Sequence, residues 1–360
     1  MNNPLLTFIC PCYNHKNYVA PFINSVLGQS SARWRLIITD DGSTDGTPEE
    51  IKKFTADKRI TLIENPYNRG INYSFSAAYK LAQTEIISFI ASDDILYPGY
   101  IETIMPYFND PKTVAVQPAL DHMDETGKPL KTRHLMEKQK LYSREKFFQS
   151  LFLCRNQITG PGLAFRKAAL APYWPFNQGL INTHDWQMNM FLSFDGEIKI
   201  TDTPLARYRR SLQSASAARP DTALRESVET PVIMATPAAL IGEDLNLFYK
   251  FFGDSEVVKN KKIDARTIPF WLGRIALTSK EPQQQKCGLA AIMDFISAAG
   301  NMELLNALYG FTFKDYMNLA ALIPYTDKFQ RKAKKYKTIS AILGGLVLLL
   351  AFILCLKVFI

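Results

Sequence analysis

Cysteine and histidine are scarce in this chain, with five Cys and four His among 360 residues. The cysteines, Cys10, Cys12, Cys154, Cys287 and Cys355, are scattered and odd in number, which argues against a disulfide framework and for a reducing compartment. Cys10-Pro11-Cys12 is too tightly spaced for a usual zinc pair and no second Cys/His pair follows it, so both read as small core residues at a strand end. No signal peptide is expected at Met1-Asn2-Asn3-Pro4, which carries no basic region, or at Leu5–Cys10, which is too short for one. Neither an internal repeat nor a low-complexity tract is present apart from Gln283-Gln284-Gln285. What remains is globular in composition, 47% hydrophobic and 21% charged, and long enough for a large core and more than one domain.

The stretch that organises the chain is Ile86-Ile87-Ser88-Phe89-Ile90-Ala91-Ser92-Asp93-Asp94. It reads as a buried strand that stops at two adjacent carboxylates. Two readings of that pair stand: a hard divalent cation bridging to phosphate oxygens, or a turn and helix cap. The segments before it alternate strand and helix. Strands are expected at Leu5–Pro11, Arg35–Thr39, Arg59–Ile63 and Glu85–Ala91, with helices at Tyr18–Leu27, after Thr47 as cap with Pro48 first, and at Asn72–Ala82. This spacing implies βαβ units and a parallel sheet. Three of the strands end in polar clusters, Pro11–Asn14, Asp40–Thr47 and Asp93–Asp94, which a parallel sheet brings to one edge, where ligands of such sheets bind. None of the clusters has the glycine pattern of a dinucleotide site or a P-loop.

The far end differs. Ile339–Leu356 is 18 residues without a charge; at about 1.5 Å per residue it spans roughly 27 Å, near the thickness of a hydrocarbon core. Six of the ten residues Lys328–Lys337 are basic and supply most of the formal net charge of +8. The basic balance therefore points to a membrane surface with anionic head groups, not to nucleic acid. A membrane anchor is expected at 338–360.

Pro11-Cys12-Tyr13-Asn14, then Asp40-Asp41-Gly42-Ser43-Thr44-Asp45-Gly46-Thr47, then Asn68-Arg69-Gly70, then Ser92-Asp93-Asp94 resemble, in content, order and spacing, the inverting family 2 glycosyltransferases of bacterial surface-glycan type. The resemblance covers roughly residues 5–215. It implies an α/β GT-A fold, a Rossmann-like nucleotide half fused to an acceptor half. It also implies roles at matching positions. Pro11 and Tyr13 would form one wall of the base pocket, with the Tyr13 ring against the nucleobase, and Asn14 would contact the nucleotide-sugar. Asp40 or Asp41 would accept a hydrogen bond from base or ribose, and Arg69 would reach a base edge or phosphate. Asp93 would hold ribose or a metal-bound water, and Asp94 would ligate Mg²⁺ or Mn²⁺. Gly160-Pro161-Gly162 looks like the floor of the acceptor site. Asp185 stands where the family places its general base, with His184 in place of the usual Glu; His184 would share the proton work or be structural. Trp186 would stack on a sugar or be core. Arg209 and Arg210 would bind the diphosphate, since Ser211 or Arg210 stands where the family often has a His. Ala91 is a further departure, where the family often has another Asp.

The expected organisation is a GT-A domain over 1–216, a helical region over 217–327 that opens with a linker at Ala217–Asp221, a polybasic segment over 328–337 and the anchor over 338–360. Helices are expected in the second part at Glu226–Leu240, Leu245–Phe252, Ile268–Thr278, Gln283–Ala299 and Met302–Leu308. The expected activity is hexosyl transfer from a nucleotide-diphospho-sugar, a UDP-sugar first, to a hydroxyl of a glycan or lipid-linked glycan, by a cytoplasmic domain at the cytoplasmic membrane. Two alternatives stand: a membrane-anchored nucleotide-sugar-binding scaffold without chemistry, and a polyprenyl-phosphate glycosyltransferase.

Overall fold

A computed structural model describes residues 3–131, 143–158, 160–211, 217 and 219–323. The expected polybasic segment and membrane anchor, 328–360, lie outside the described residues. The chain divides into two compact units, Met1–Asn301 and Met302–Ile360.

The first unit begins with the expected alternation: β1 (Leu6–Cys12), α1 (Lys16–Leu27), β2 (Trp34–Asp40), α2 (Thr47–Lys52), β3 (Ile60–Glu64), α3 (Ile71–Leu81) and β4 (Ile86–Phe89). These strands pair in parallel in the order β3-β2-β1-β4. In β1 the residues of both faces are buried, Leu6, Phe8 and Cys10 on one and Thr7 and Ile9 on the other, because helices cover both sides of the sheet. Each large side chain so buried contributes about 1.5–3 kcal/mol. Cys10 and Cys12 are core residues, as expected; burial pushes the Cys12 thiol up to about 12 and Cys10 well above its ordinary value, so both stay protonated.

Beyond β4 the sheet continues through β5 (Ile95–Leu96), β6 (Thr113–Met123), β7 (Pro129–Leu130), β8 (Leu163–Arg166) and β9 (Glu197–Arg209), with α4 (Tyr100–Ile104), α5 (Arg144–Leu153), α6 (Lys167–Leu170) and α7 (His184–Asp195) between them. The full order is β3-β2-β1-β4-β8-β6-β9-β5, with β7 on β6. Strand β8 is antiparallel to both β4 and β6, so it joins the nucleotide-type half to the second half in one sheet. A single 13-residue strand, bent by register shifts against β6, carries Glu197 through Arg209.

Helices α8 (Pro220–Ile241), α9 (Leu245–Phe252), α10 (Ile268–Ala276) and α11 (Pro282–Ser297) follow. The expected linker is shorter than proposed, since α8 already starts at Pro220, a residue suited to a first helical turn. These helices belong to the same compact unit as the sheet. Phe248, Phe251 and Phe252 of α9 are buried, and Phe251 and Phe252 meet Phe148 of α5 at ring distances of 4.7 and 6.0 Å. Gly273 and Gly288 let α10 and α11 touch: a Cβ on either would come within 2.8 Å of the other helix's backbone. In the second unit lie most of α12 (Asn301–Tyr309) and all of α13 (Phe313–Leu322), the latter opened by a reciprocal Thr312–Asp315 cap. Among the described residues no single helix is long and apolar enough to cross a membrane.

Candidate active site

The three polar clusters meet at the carboxyl edge of β2, β1 and β4. The β1 and β2 loops are stitched together: the Asn14 backbone N–H donates to Ser43 Oγ at 2.8 Å, and the Thr44 N–H donates to Asn14 Oδ1 at 2.9 Å. Asn14 sits at φ 53°, a left-handed conformation that Asn tolerates. Its amide oxygen fixes the neighbouring loop. The third cluster is tied in by His15, whose Nδ1 lies 2.7 Å from Ser92 Oγ. Gly42 sits at φ +74°, and a Cβ there would fall 2.5 Å from the Tyr67 carbonyl carbon, so this turn admits only glycine.

Asp40 and Asp41 divide in role. The Asp41 carboxylate is buried and accepts from the Arg69 and Gly70 N–H groups, the Asn65 amide and the Ser74 hydroxyl, at 2.7–3.0 Å. Its oxygens are engaged by this chain, and it shapes the loop that carries Arg69. Asp40 accepts from the Ser43 N–H through Oδ2, while its buried Oδ1 has no partner. Pro11 and the 44%-exposed Tyr13 remain at the open edge beside it. The exposed Arg69 guanidinium lies 3.4 Å from the Tyr73 ring centre and hydrogen-bonds the Tyr73 hydroxyl. Thr47 is not the helix cap: Gly46 holds that place at φ 91°, and the Thr47 hydroxyl takes the His15 N–H while donating to Asp45.

Asp94 is fully buried and Asp93 partly so. Asp94 Oδ1 accepts the Arg209 backbone N–H at 2.9 Å, and its Oδ2 has no partner. Burial, and then the adjacent Asp93 charge, push the Asp94 carboxyl well above the usual range, opposed by Arg209. Arg209 itself is buried, not free for a diphosphate as expected. Its Nε donates to the Asp93 carbonyl and its Nη1 to the carbonyls of Asp124 and Glu125, and the guanidinium lies over the Tyr18 ring. The exposed Arg210 guanidinium lies on the Tyr208 ring, 4.9 Å from its centre. Among the described residues no group of three or more His, Cys, Asp or Glu is placed to hold a metal ion. The orphaned buried Oδ2 of Asp94, next to a second carboxylate, is nonetheless chemically suited to a hard divalent cation.

Asp185 opens α7 beside the end of β4. A Cβ built on Gly160 would sit 3.2 Å from Phe89 and 3.9 Å from the Asp185 side chain. Phe89 is the last residue of β4; Asp93–Asp94 follow it in sequence, and Gly160 lies between its ring and the Asp185 side chain. The Gly162 N–H donates to the Phe89 carbonyl, and its φ of +74° turns the 160–162 segment into β8. Asp185 is half-buried at its surface, but its carboxyl group is desolvated, which raises its proton affinity against the opposing effects of His184 and of hydrogen bonds from the Trp186 N–H and Asn156. Asn156 is in turn oriented by Asn189, whose amide donates to Asn156 Oδ1 at 3.0 Å and so turns the Asn156 amide donor toward Asp185. His184 Nδ1 lies 2.9 Å from the Ile181 carbonyl and its ring packs on Phe89, a structural arrangement. Trp186 is core, 2% exposed, with its indole N–H on the Leu151 carbonyl.

Three residues at this site carry no local sequence signal: Asn156, Asn189 and Glu229. Glu229 comes from α8, in the helical region. Its buried carboxylate accepts the N–H groups of Ile181, Asn182 and Thr183 and the Thr183 hydroxyl, at 2.9–3.1 Å. A cavity of about 900 Å³ opens elsewhere, lined by Lys112, Arg144, Asp195 and Lys199 among others, and includes none of the donor-edge or Asp185-side residues.

A family model described as Glycosyl transferase family 2 matches residues 7–171. Among curated proteins, an uncharacterised glycosyltransferase of Rickettsia prowazekii is 30% identical over 194 residues, 52% of this chain and 58% of that protein. WfgD of Escherichia coli, a UDP-Glc:alpha-D-GlcNAc-diphosphoundecaprenol beta-1,3-glucosyltransferase, is 36% identical over 102 residues, 28% of this chain and 40% of that protein. The chain thus spans less than two thirds of the length of these relatives. Among solved structures, S. aureus TarS 1-349 in complex with UDP superposes with a TM-score of 0.52 at 18% identity, over 80% of this chain and 88% of that one. The mannosyltransferase PcManGT from Pyrobaculum calidifontis, in complex with GDP-Man and Mn2+, gives 0.52 at 16% identity, over 90% and 85%. At such identities the likeness is one of fold: an α/β sheet of GT-A type followed by helices. Asp185, at a position beyond the family match, rests on its geometry.

Proposed function

We propose, from the match of residues 7–171 to the Glycosyl transferase family 2 model, that the chain moves a sugar from a nucleotide-diphospho-sugar to a hydroxyl of a glycan or lipid-linked glycan, with inversion. The observation that carries this reading is a desolvated, amide-oriented Asp185 that lies across Gly160 from Phe89, the last residue of the strand that Asp93–Asp94 follow. A single in-line displacement inverts the anomeric carbon and needs one base. Asp185 accepts the acceptor hydroxyl's proton as that oxygen attacks, and its raised proton affinity suits the task. Asn156 and Asn189 keep its carboxyl group turned toward the site. Pro11 and Tyr13 bind the nucleobase, with Asp40 Oδ1 as acceptor for the base or ribose, while Arg69 and Arg210 supply positive charge to the donor. Asp94 and Asp93 would hold Mg²⁺ or Mn²⁺, which when bound neutralises charge on the departing nucleoside diphosphate. A UDP-sugar is the favoured donor, in keeping with the UDP named for TarS and the UDP-Glc named for WfgD.

A membrane-side acceptor fits two features. The charge-free run 339–356 follows a polybasic segment, so the chain is read as anchored to an anionic cytoplasmic membrane surface. The outward face of α8 is also apolar: Leu224 and Val228 are 65% and 68% exposed and Val232 39%, while its Glu229, Thr230 and Thr236 point inward. The test is a panel of UDP-glucose, UDP-N-acetylglucosamine, UDP-galactose and GDP-mannose, screened for Mn²⁺-dependent thermal stabilisation. One nucleotide sugar raising Tm in Mn²⁺ but not in EDTA is the expected result; no shift with any would overturn donor binding.

A further inference from the structure

The geometry points to Glu229 as a positioning residue for Asp185, so that the helical region supplies part of the catalytic machinery. The inference rests on the reading of Asp185 as the base. Three consecutive backbone N–H groups, Ile181, Asn182 and Thr183, converge on this one carboxylate, and the Thr183 hydroxyl makes a fourth bond to it. Such a convergence of N–H groups is an anion cradle, and here the anion is a side chain of the same protein. Asp185 follows two residues after Thr183, in the first turn of α7. Thr183 makes no side-chain cap to α7, because its hydroxyl goes to Glu229 instead. The carboxylate also lies at the positive end of the α7 dipole, which offsets part of its burial cost. Among the described residues Glu229 has no ion pair, so all its acceptor capacity seen here is directed at this loop.

The arrangement sets where Asp185 stands relative to the end of β4. On its far side Asp185 is held by Asn156, which Asn189 orients. On the near side the loop has no regular secondary structure, and Glu229 is its anchor. Releasing that anchor would leave three N–H groups unpaired and let the base drift, and displacements of about 1 Å cost on the order of a hundredfold in rate.

The test uses the full chain and the nucleotide sugar giving the largest Mn²⁺-dependent thermal shift, with water as nucleophile and nucleoside diphosphate release as readout. Glu229→Gln places an amide N–H₂ against the cradle; Thr183→Val deletes one of its four bonds. Glu229→Gln is expected to lower kcat at least about tenfold, to leave the donor Kd within twofold, and to displace the acidic limb of the kcat–pH profile. Thr183→Val should move in the same direction by a smaller factor, and it decides the matter if Glu229→Gln does not fold. Unchanged kcat, or kcat and donor affinity falling together with the acidic limb in place, would overturn the proposal. Asp185→Asn, run alongside, separates the two levels: if it keeps full turnover the base reading itself fails, whereas if it is inactive and Glu229→Gln is normal only the positioning role fails.

Discussion

The backbone N–H of Arg209 donates to Asp94 Oδ1 at 2.9 Å, joining the end of β9 to the acidic turn after β4 across 115 residues of chain. The Arg209 side chain completes the clamp on the Asp93, Asp124 and Glu125 carbonyls. One oxygen of Asp94 is thereby fixed by protein, and the other is buried without a partner. Asp94→Asn keeps an oxygen for the Arg209 N–H but removes the charge. The variant is expected to fold with unchanged or higher Tm in EDTA, since the buried charge is gone, and to lose the Mn²⁺-dependent thermal shift with nucleotide sugar. A retained shift would place the cation elsewhere.

Asp185→Asn removes the proposed base. Turnover should fall by about 10²–10⁴ while donor binding stays within twofold. Steady-state rates and a donor titration check this. Retained turnover would favour transfer to a phosphate, which requires no base.

The same carboxyl sets a pH dependence. Desolvation holds its folded value above the ordinary 3.8. A base must be ionised, so kcat should fall as pH drops through that raised value, with its midpoint above 3.8. For stability, the folded state holds this proton more tightly than the unfolded chain does. Stability from this group is therefore present at low pH and lost as pH rises from the ordinary value through the raised one. Asp185→Asn should accordingly leave Tm equal or higher near neutrality.

Asp41 accepts four hydrogen bonds in the core of the donor edge. In Asp41→Asn one donor would face another, and a buried unsatisfied group costs about 1–3 kcal/mol. Chemical denaturation should show a loss of that order, and donor affinity should weaken as the Arg69 loop loosens. A change in affinity with no change in stability would mean that Asp41 touches the ligand.

The outward side chains Leu224, Val228 and Val232 recur every four residues on α8. If this face meets a bilayer, Leu224→Ser/Val228→Ser/Val232→Ser should leave soluble-donor binding intact and reduce activity on acceptors embedded in anionic vesicles. Equal activity on vesicle-embedded acceptor would remove α8 from the membrane contact.

Much of the nucleotide half was legible because its signals are local. An unbroken apolar run makes an inner strand, and Asp-Asp-Gly or Ser-Asp-Asp after it makes a polar edge, so β1–β4 and the convergence of their ends follow from spacing alone. Sequence by itself also determined that Cys10 and Cys12 would be core, whereas the need for glycine at position 42 came from the close approach of the Tyr67 backbone. Tertiary structure alone decided which of two adjacent aspartates is free. Asp40 and Asp41 look alike in a row of letters, but strand direction aims Asp41 into four donors and leaves one oxygen of Asp40 unpaired. It likewise turned Arg209 inward, brought Asn156 to Asp185 from the segment after α5, and brought Glu229 of α8 to the loop that precedes Asp185. Hydrogen bonds between residues 24 to 116 positions apart leave no periodicity and no motif, because they depend on how packed elements cross and not on what stands next in the chain.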